Sequence, residues 1–361
     1  MTKKTNHNWQ TKKLGEVLKL EYGKPLPKSK RKDGGLYPVY GANGEKDRTD
    51  EYYHDKQSII VGRKGSAGEI NLTEKKFWPL DVSYFVTFDY KKYDLNFLYY
   101  LLGNLELPKL AKGVKPGINR NEVYSIDVQI PPLPEQQRIV AILDEAFAAI
   151  ATAKENAEKN LQNARELFES YLQSVFANPG DGWEEKKLGE CFKLKSGDNL
   201  ISKMMTENGK FPVYGGNGIT GMYDNFNLSG NNIIVGRVGA LCGNVRYIKD
   251  KIWLTDNAFK ITDWKYDFDH AFLAYLLNFK NLRGYARQAA QPVISNSSLE
   301  GVLLQFPKSN EEQKRIVAKL DALSAETKKL EAIYRQKLAD LDELKKSVLQ
   351  KAFTGQLTME N

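Results

Sequence analysis

Ile59-Ile60-Val61-Gly62-Arg63 returns 174 residues later as Ile233-Ile234-Val235-Gly236-Arg237. Working outward, the same offset of 174 links Tyr37-Pro38-Val39-Tyr40-Gly41-Ala42-Asn43-Gly44 to Phe211-Pro212-Val213-Tyr214-Gly215-Gly216-Asn217-Gly218. It also links Trp9 with Lys12-Lys13-Leu14-Gly15-Glu16 to Trp183 with Lys186-Lys187-Leu188-Gly189-Glu190. The offset becomes 175 where Phe97-Leu98-Tyr99-Tyr100-Leu101-Leu102 meets Phe272-Leu273-Ala274-Tyr275-Leu276-Leu277, and 177 where Arg138-Ile139-Val140-Ala141 meets Arg315-Ile316-Val317-Ala318. Insertions confined to the segments between matched motifs are those that loops on a shared scaffold accumulate. The chain is one unit written twice.

Each copy begins with a module of strands. Short β-branched and aromatic runs (Ser58 to Val61, Tyr84 to Phe88, Asn231 to Val235) are separated by Gly, Asn and Asp turn residues, and Asn43-Gly44 and Asn217-Gly218 mark tight turns. Short apolar helices are expected at 95–103 and 270–278. The Gly62, Gly65, Gly68 cluster and its counterpart at Gly236 and Gly239 lack the G-x-G spacing of a dinucleotide loop, so they read as turns.

Each copy ends with a long helix. Pro134-Glu135 suits a first helical turn, and Ser309-Asn310-Glu311-Glu312 offers a capping box. The helices stop at Asn178-Pro179-Gly180 and Thr354-Gly355, and at 1.5 Å per residue each is roughly 64 Å long. In the first, Ile139, Leu143, Ala146, Ile150, Ala153, Ala157, Asn160, Ala164, Leu167 and Tyr171 alternate steps of four and three. Ile316, Leu320, Leu323, Thr327, Leu330, Tyr334, Lys337, Leu341, Leu344 and Val348 do the same in the second. This is a coiled-coil seam. Asn160 and Lys337 either form a buried polar layer that fixes register or turn to solvent. The expected fold class is α+β: two repeated mixed α/β modules (1–134 and 178–310) joined by two long helices (135–177, and 311–361 with the tail). The helices are expected to form an antiparallel coiled coil that relates the repeats by a pseudo-two-fold, with one module at each end of the rod.

Composition narrows the function. With 361 residues, 41% hydrophobic and 27% charged, the chain reads as folded and globular. Its apolar runs fall far short of the roughly 20 residues that span a bilayer, and Met1 to Gln10 lacks an apolar signal core, so the expected location is the cytoplasm, with no membrane contact. Two cysteines, Cys191 and Cys242, and three scattered histidines support neither a disulfide framework nor a zinc site. There is no phosphate loop, no Asn/Asp-Pro-Pro-aromatic methylation motif and no serine nucleophile elbow, so no catalytic residue is assigned. The net charge is +8, and residues 1–134 carry 23 basic and 16 acidic side chains. The surplus lies on the modules and points to a polyanionic partner.

The candidate nucleic-acid contacts follow from that surplus. Lys28, Lys30, Arg31 and Lys32 lie in a basic stretch whose counterpart holds only Lys203. Arg63, Lys64 and Arg237 stand at equivalent strand ends beside glycines that let a backbone approach DNA; the alternative is that they hold the scaffold. Asn43 and Asn217 occupy the hairpin tips. Lys112, Lys115, Asn119 and Arg120 in one copy, and Arg287, Gln288 and Gln291 in the other, flank Pro116 and Pro292 in matched loops.

Four stretches carry a family resemblance: Tyr37 to Gly44, Val61 to Gly68, Pro131-Pro132-Leu133-Pro134-Glu135-Gln136-Gln137-Arg138-Ile139-Val140, and Lys345 to Leu357. Together, and over essentially the whole chain, they resemble the specificity subunit of type I restriction-modification systems. The resemblance implies two target-recognition domains, each reading half of a bipartite site in double-stranded DNA. It further implies helices that act as spacer and dock two methyltransferase (modification) subunits. S-adenosylmethionine and the methylated adenine would belong to those partners, this chain would carry no cofactor, and an ATP-dependent restriction subunit would join for cleavage. The second copy departs from the pattern at Asn310, where the first has a proline, and at Leu241-Cys242 in the glycine turn. A rod of about 64 Å reaches no further than roughly 19 base pairs, which also suits a split site with an unread middle. A self-sufficient modifying enzyme and a purely structural adaptor are the competing readings.

Overall fold

The computed structural model describes residues 8–287 and 291–357. It divides into two compact units, Met1–Glu158 with Gln336–Asn361, and Lys159–Arg335. Each therefore holds one module, the near part of the helix that follows it, and the far part of the other helix.

In the first unit the strands are β1 (Gln10–Lys13), β2 (Leu18–Tyr22), β3 (Tyr37–Gly41), β4 (Gly44–Thr49), β5 (Ile59–Gly62), β6 (Ile70–Leu72), β7 (Trp78–Pro79), β8 (Ser83–Phe88) and β9 (Asp127–Ile130). The helices are α1 (Leu14–Val17), α2 (Leu95–Asn104), α3 (Arg120–Tyr124) and α4 (Leu133–Ala177). A four-stranded antiparallel sheet runs β2-β8-β5-β6, a three-stranded sheet runs β4-β3-β7 with β3 and β7 parallel, and β1 pairs with β9. The second unit repeats this with β10 (Trp183–Lys187), β11 (Lys193–Ser196), β12 (Phe211–Gly215), β13 (Gly218–Tyr223), β14 (Asn232–Gly236), β15 (Val245–Ile248), β16 (Trp253–Leu254), β17 (Ala258–Thr262) and β18 (Leu303–Pro307). Its helices are α5 (Leu188–Cys191), α6 (His270–Phe279), α7 (Asn296–Leu299) and α8 (Asn310–Phe353), and its sheets run β11-β17-β14-β15, β13-β12-β16 and β10-β18.

The apolar run that opens the repeat is continuous because β5 is covered on both faces. Ile59 and Val61 join the main core with Phe97, Leu98, Leu101 and Leu102 of α2, whereas Ile60 faces Tyr40, Phe77 and Phe85. In β14, Ile233 and Val235 face the α6 side, and Ile234 packs with Leu254 and Ala258. Burying each such side chain is worth about 1.5–3 kcal/mol. Asp94 caps α2 by accepting from the Phe97 amide at 2.9 Å, and Asp269 caps α6 from Phe272 at 2.9 Å.

The long helices are locked to these caps by a buried glutamine. The Gln136 amide accepts from the Asp94 amide at 2.9 Å and donates to the Pro131 and Lys92 carbonyls at 2.9 and 3.1 Å. Gln313 repeats the link with Asp269 at 2.8 Å and the Pro307 carbonyl at 2.9 Å. Tyr100 donates to Asp144, and Tyr275 to Asp321 at 2.6 Å, tying α2 and α6 to the next turns. Ser309 caps α8, accepting from the Glu312 amide at 3.4 Å.

Within each unit the helix segments run antiparallel. In the first, Phe147 meets Lys345 and Lys154 pairs with Asp342, while Ala352 and Phe353 pack with Ile139 and Leu143; Phe353 lies 5.4 Å from Phe97. In the second, Arg165 pairs with Glu331 at 3.4 Å, and Phe176 packs in the core with Leu320. The seam differs from the heptad reading in one respect. Asn160 and Lys337 are exposed, and Leu161 and Leu338 take the inward places. Leu167 and Leu344 are likewise about half exposed, at 51% and 48%. Ala153, Ala157 and Leu161 follow at successive steps of four, so the stripe slips by one residue where a leucine sits beside the polar residue. The slip absorbs the mismatch between 3.5 and 3.6 residues per turn.

Candidate nucleic-acid interface

The strand ends β2, β5 and β8 bring the first unit's candidate residues together. Tyr22, the last residue of β2, lies on the same face as Leu18 and Leu20 but beyond the core, and is 48% exposed. Its ring centroid is 5.0 Å from that of its cross-strand partner Tyr84, with the rings tilted at 59°. Two guanidiniums lie against the same ring, Arg63 at 5.4 Å and Arg120 at 4.9 Å. Arg63 donates through Nε and Nη2 to the Asp81 carbonyl at 2.9 and 2.6 Å. Its own carbonyl accepts from the Ile118 amide at 3.1 Å, which fastens the 112–117 loop to the strand end. Tyr22, Tyr84, Asn119, Arg120 and Asn121 line an open concavity of about 490 Å³. Burial, and then the hydrogen bond with Tyr22, push the Tyr84 phenol up to about 12, so it stays a neutral hydroxyl.

Several backbone positions explain why the loops hold these places. Lys112 and Gly117 exchange both backbone hydrogen bonds at 3.0 Å and close a loop whose tip carries the fully exposed Val114 and the exposed Lys115. Gly68 has φ +84°, and a Cβ there would sit 2.4 Å from the Pro108 nitrogen. Gly44 has φ +106°, the left-handed turn of the hairpin whose exposed tip is Asn43. Asn119 accepts from the Asn121 amide at 2.9 Å, capping α3.

The charge of the other candidates is largely balanced within the fold. Lys30 pairs with Glu51 at 2.8 Å, Arg31 with Asp47 at 3.3 Å and with the Leu26 carbonyl, Lys32 with Asp50, and Lys112 with Glu122 at 2.7 Å. The hydrogen bond from Lys32 holds the Asp50 carboxyl below its usual range. Among the described residues, Lys28, Arg63, Lys64, Lys115 and Arg120 have no carboxylate partner. Of the Lys24 to Lys32 stretch, Lys30, Arg31 and Lys32 are thus neutralised, whereas both arginines beside Tyr22 keep their charge unpaired.

The second unit builds the same place differently. Arg237 donates to the Asp256 carbonyl at 3.2 Å and to Ser196 Oγ at 3.4 Å, and lies 5.5 Å from the Phe259 ring. Ser196, Phe259 and Asn296 occupy the positions of Tyr22, Tyr84 and Arg120. The Asn296 amide donates to the Leu194 carbonyl at 2.9 Å. Asn217 accepts from the Leu241 amide at 2.8 Å and so holds its hairpin tip against the neighbouring turn. Arg287 and Gln291 are exposed, and Gln288 lies outside the described residues.

Sequence reasoning passed over the aromatic residues. Besides Tyr22 and Tyr84, Lys24 lies 4.7 Å from the Tyr53 ring and Lys76 5.3 Å from Tyr52, beside Trp78, whose indole donates to the Lys24 carbonyl at 3.0 Å. Tyr22, two residues before Lys24, and the adjacent pair Tyr52-Tyr53 were the available signal. Among the described residues, no helix is long and apolar enough to cross a membrane, and no group of three or more His, Cys, Asp and Glu side chains could hold a metal.

A duplicated α/β scaffold with like strand ends and unlike surroundings defines the class. Residues 6–161 and 180–338 match the model of the type I restriction modification DNA specificity domain, and the chain belongs to that family. It is 29% identical over 267 residues to the Escherichia coli type I restriction enzyme EcoprrI specificity subunit, covering 68% of this chain and 65% of that protein, slightly under two thirds of its length. A putative type I specificity subunit of Mycoplasma pneumoniae is 29% identical over 261 residues, 67% of this chain and 69% of its own. In fold, the chain is similar to one from a solved type I R-M system (TM-score 0.78, 19% identity, 98% and 99% of the two chains). It is also similar to the HsdS subunit from Thermoanaerobacter tengcongensis (TM-score 0.65, 19% identity, 98% of each chain).

Proposed function

We propose that this chain is the specificity subunit of a type I restriction-modification complex, each module reading one half of a bipartite site in double-stranded DNA. One observation carries the reading: Arg63 and Arg237 stand at the same strand end in both modules, while Tyr22, Tyr84 and Arg120 give way to Ser196, Phe259 and Asn296. A shared arginine suits a contact that both halves need, and changed neighbours suit two different base sequences. The modules are 1–134 and 178–310, and the helices 135–177 and 311–361 dock two methyltransferase subunits. The chain itself is non-catalytic and works in the cytoplasm. S-adenosylmethionine and the methylated adenine belong to the methyltransferases, and an ATP-dependent restriction subunit joins for cleavage. The use of Gly65 and Gly68, both at φ +84°, in the turn after β5 supports leaving the methyl donor on the partner.

Competition binding by the chain with its methyltransferase partners tests this reading. Scrambling either half of the site is expected to weaken binding by at least tenfold, each mismatched pair costing about 1–3 kcal/mol. Indifference to both halves contradicts it, and failure to bind any DNA favours a structural adaptor.

A further inference from the structure

We propose that Arg120, packed against the Tyr22 ring, is a specificity-determining residue of the first module and contacts the edge of a guanine. The inference rests on the reading of the chain as a DNA-specificity subunit. It goes further in assigning one base type to one side chain.

The geometry of the two arginines separates their tasks. Arg63 spends two donors on the Asp81 carbonyl and sits at a strand end present in both modules. Arg120 donates to no described residue and has no carboxylate partner, yet its guanidinium is held 4.9 Å from the Tyr22 ring. The ring contact spends none of the guanidinium's N–H donors, which lie at the rim of a concavity of about 490 Å³. A guanidinium whose fork of N–H donors is unspent matches the paired O6 and N7 acceptors of guanine. A phosphate needs only a charge, which the unpaired Lys64 and Lys115 nearby supply on flexible stems.

The internal repeat supplies a second, independent argument. Arg120 is not duplicated: its counterpart Asn296 is tied to the Leu194 carbonyl at 2.9 Å, and Ser196 has replaced the stacking ring. An arginine held against an aromatic ring in one module only suits a base that this module alone reads.

The test uses the full chain assembled with its methyltransferase partners and a panel of duplexes in which each base pair of both half-sites is varied. Arg120→Lys keeps the charge and loses the fork; Arg120→Ala loses both. Both variants are expected to lower discrimination at one G·C pair of one half-site by about tenfold to a hundredfold. Discrimination across the other half-site, which stays as in the parent, reports that the complex is folded. Uniform weakening on all sequences, with a salt dependence reduced by about one ion, would make Arg120 a phosphate contact and overturn the proposal. So would unchanged discrimination, or a half-site without a G·C pair. If the parent complex shows no sequence preference at all, the underlying reading of function fails first.

Discussion

Gln136 and Gln313 show how a polar residue becomes scaffold. Each is about 1% exposed, with its amide bound to a helix cap on one side and to a carbonyl before the long helix on the other. A sequence displays such a residue as a repeated motif without saying what the amide touches. Tyr22 was hidden for the opposite reason, because strand alternation assigns it to a core that ends at Leu20, two residues before it. His54 yields a prediction of its own. Packed 4.9 Å from the Phe85 ring and 5.5 Å from Phe77, it is held below its usual pKa by burial. A lowered pKa favours the neutral form in the folded state, so this stabilisation is present above about pH 6.5 and is lost as the pH falls through the folded value. Thermal melts between pH 7.5 and 5 are expected to show the first unit losing stability on acidification, with a shallower slope in His54→Gln. An identical slope in both proteins would exclude His54 as the cause.

At the scale of elements, the strands and helices were legible because their periods are plain. The doubly covered β5 and β14 and the short helices α2 and α6 stand close to where the apolar runs place them. The seam was legible except at its polar layer and at Leu167 and Leu344, since Ala164, Tyr171, Leu341 and Val348 are buried or half-buried where the heptad places them. Beyond Ala157, both Asn160 and Leu161 continue an acceptable spacing, and a strict heptad selects the polar one. Packing selects the leucine, since burying an unpartnered amide costs free energy. Leu161→Asn is therefore expected to destabilise the second unit by about 1–2 kcal/mol, whereas Asn160→Leu stays within about 0.5 kcal/mol. Chemical denaturation of both variants checks this. The opposite order would restore the uninterrupted heptad.

At the scale of the molecule, duplication was plain in the sequence, and the family followed from motifs in both copies. The composition of each unit was not. Phe353, near the end of the chain, completes the core of the first module, as Phe176 completes that of the second. No local pattern announces such a long-range partnership. Two modules on like scaffolds with unlike surfaces imply one chain specifying two different half-sites. Mapping methylated adenines in the source genome, with and without an intact gene for this chain, tests that claim most directly. The expected result is a single motif of two short, dissimilar halves separated by an unspecified gap of constant length, and its disappearance when the gene is disrupted. A contiguous or self-complementary motif, or methylation unchanged by the disruption, would contradict it.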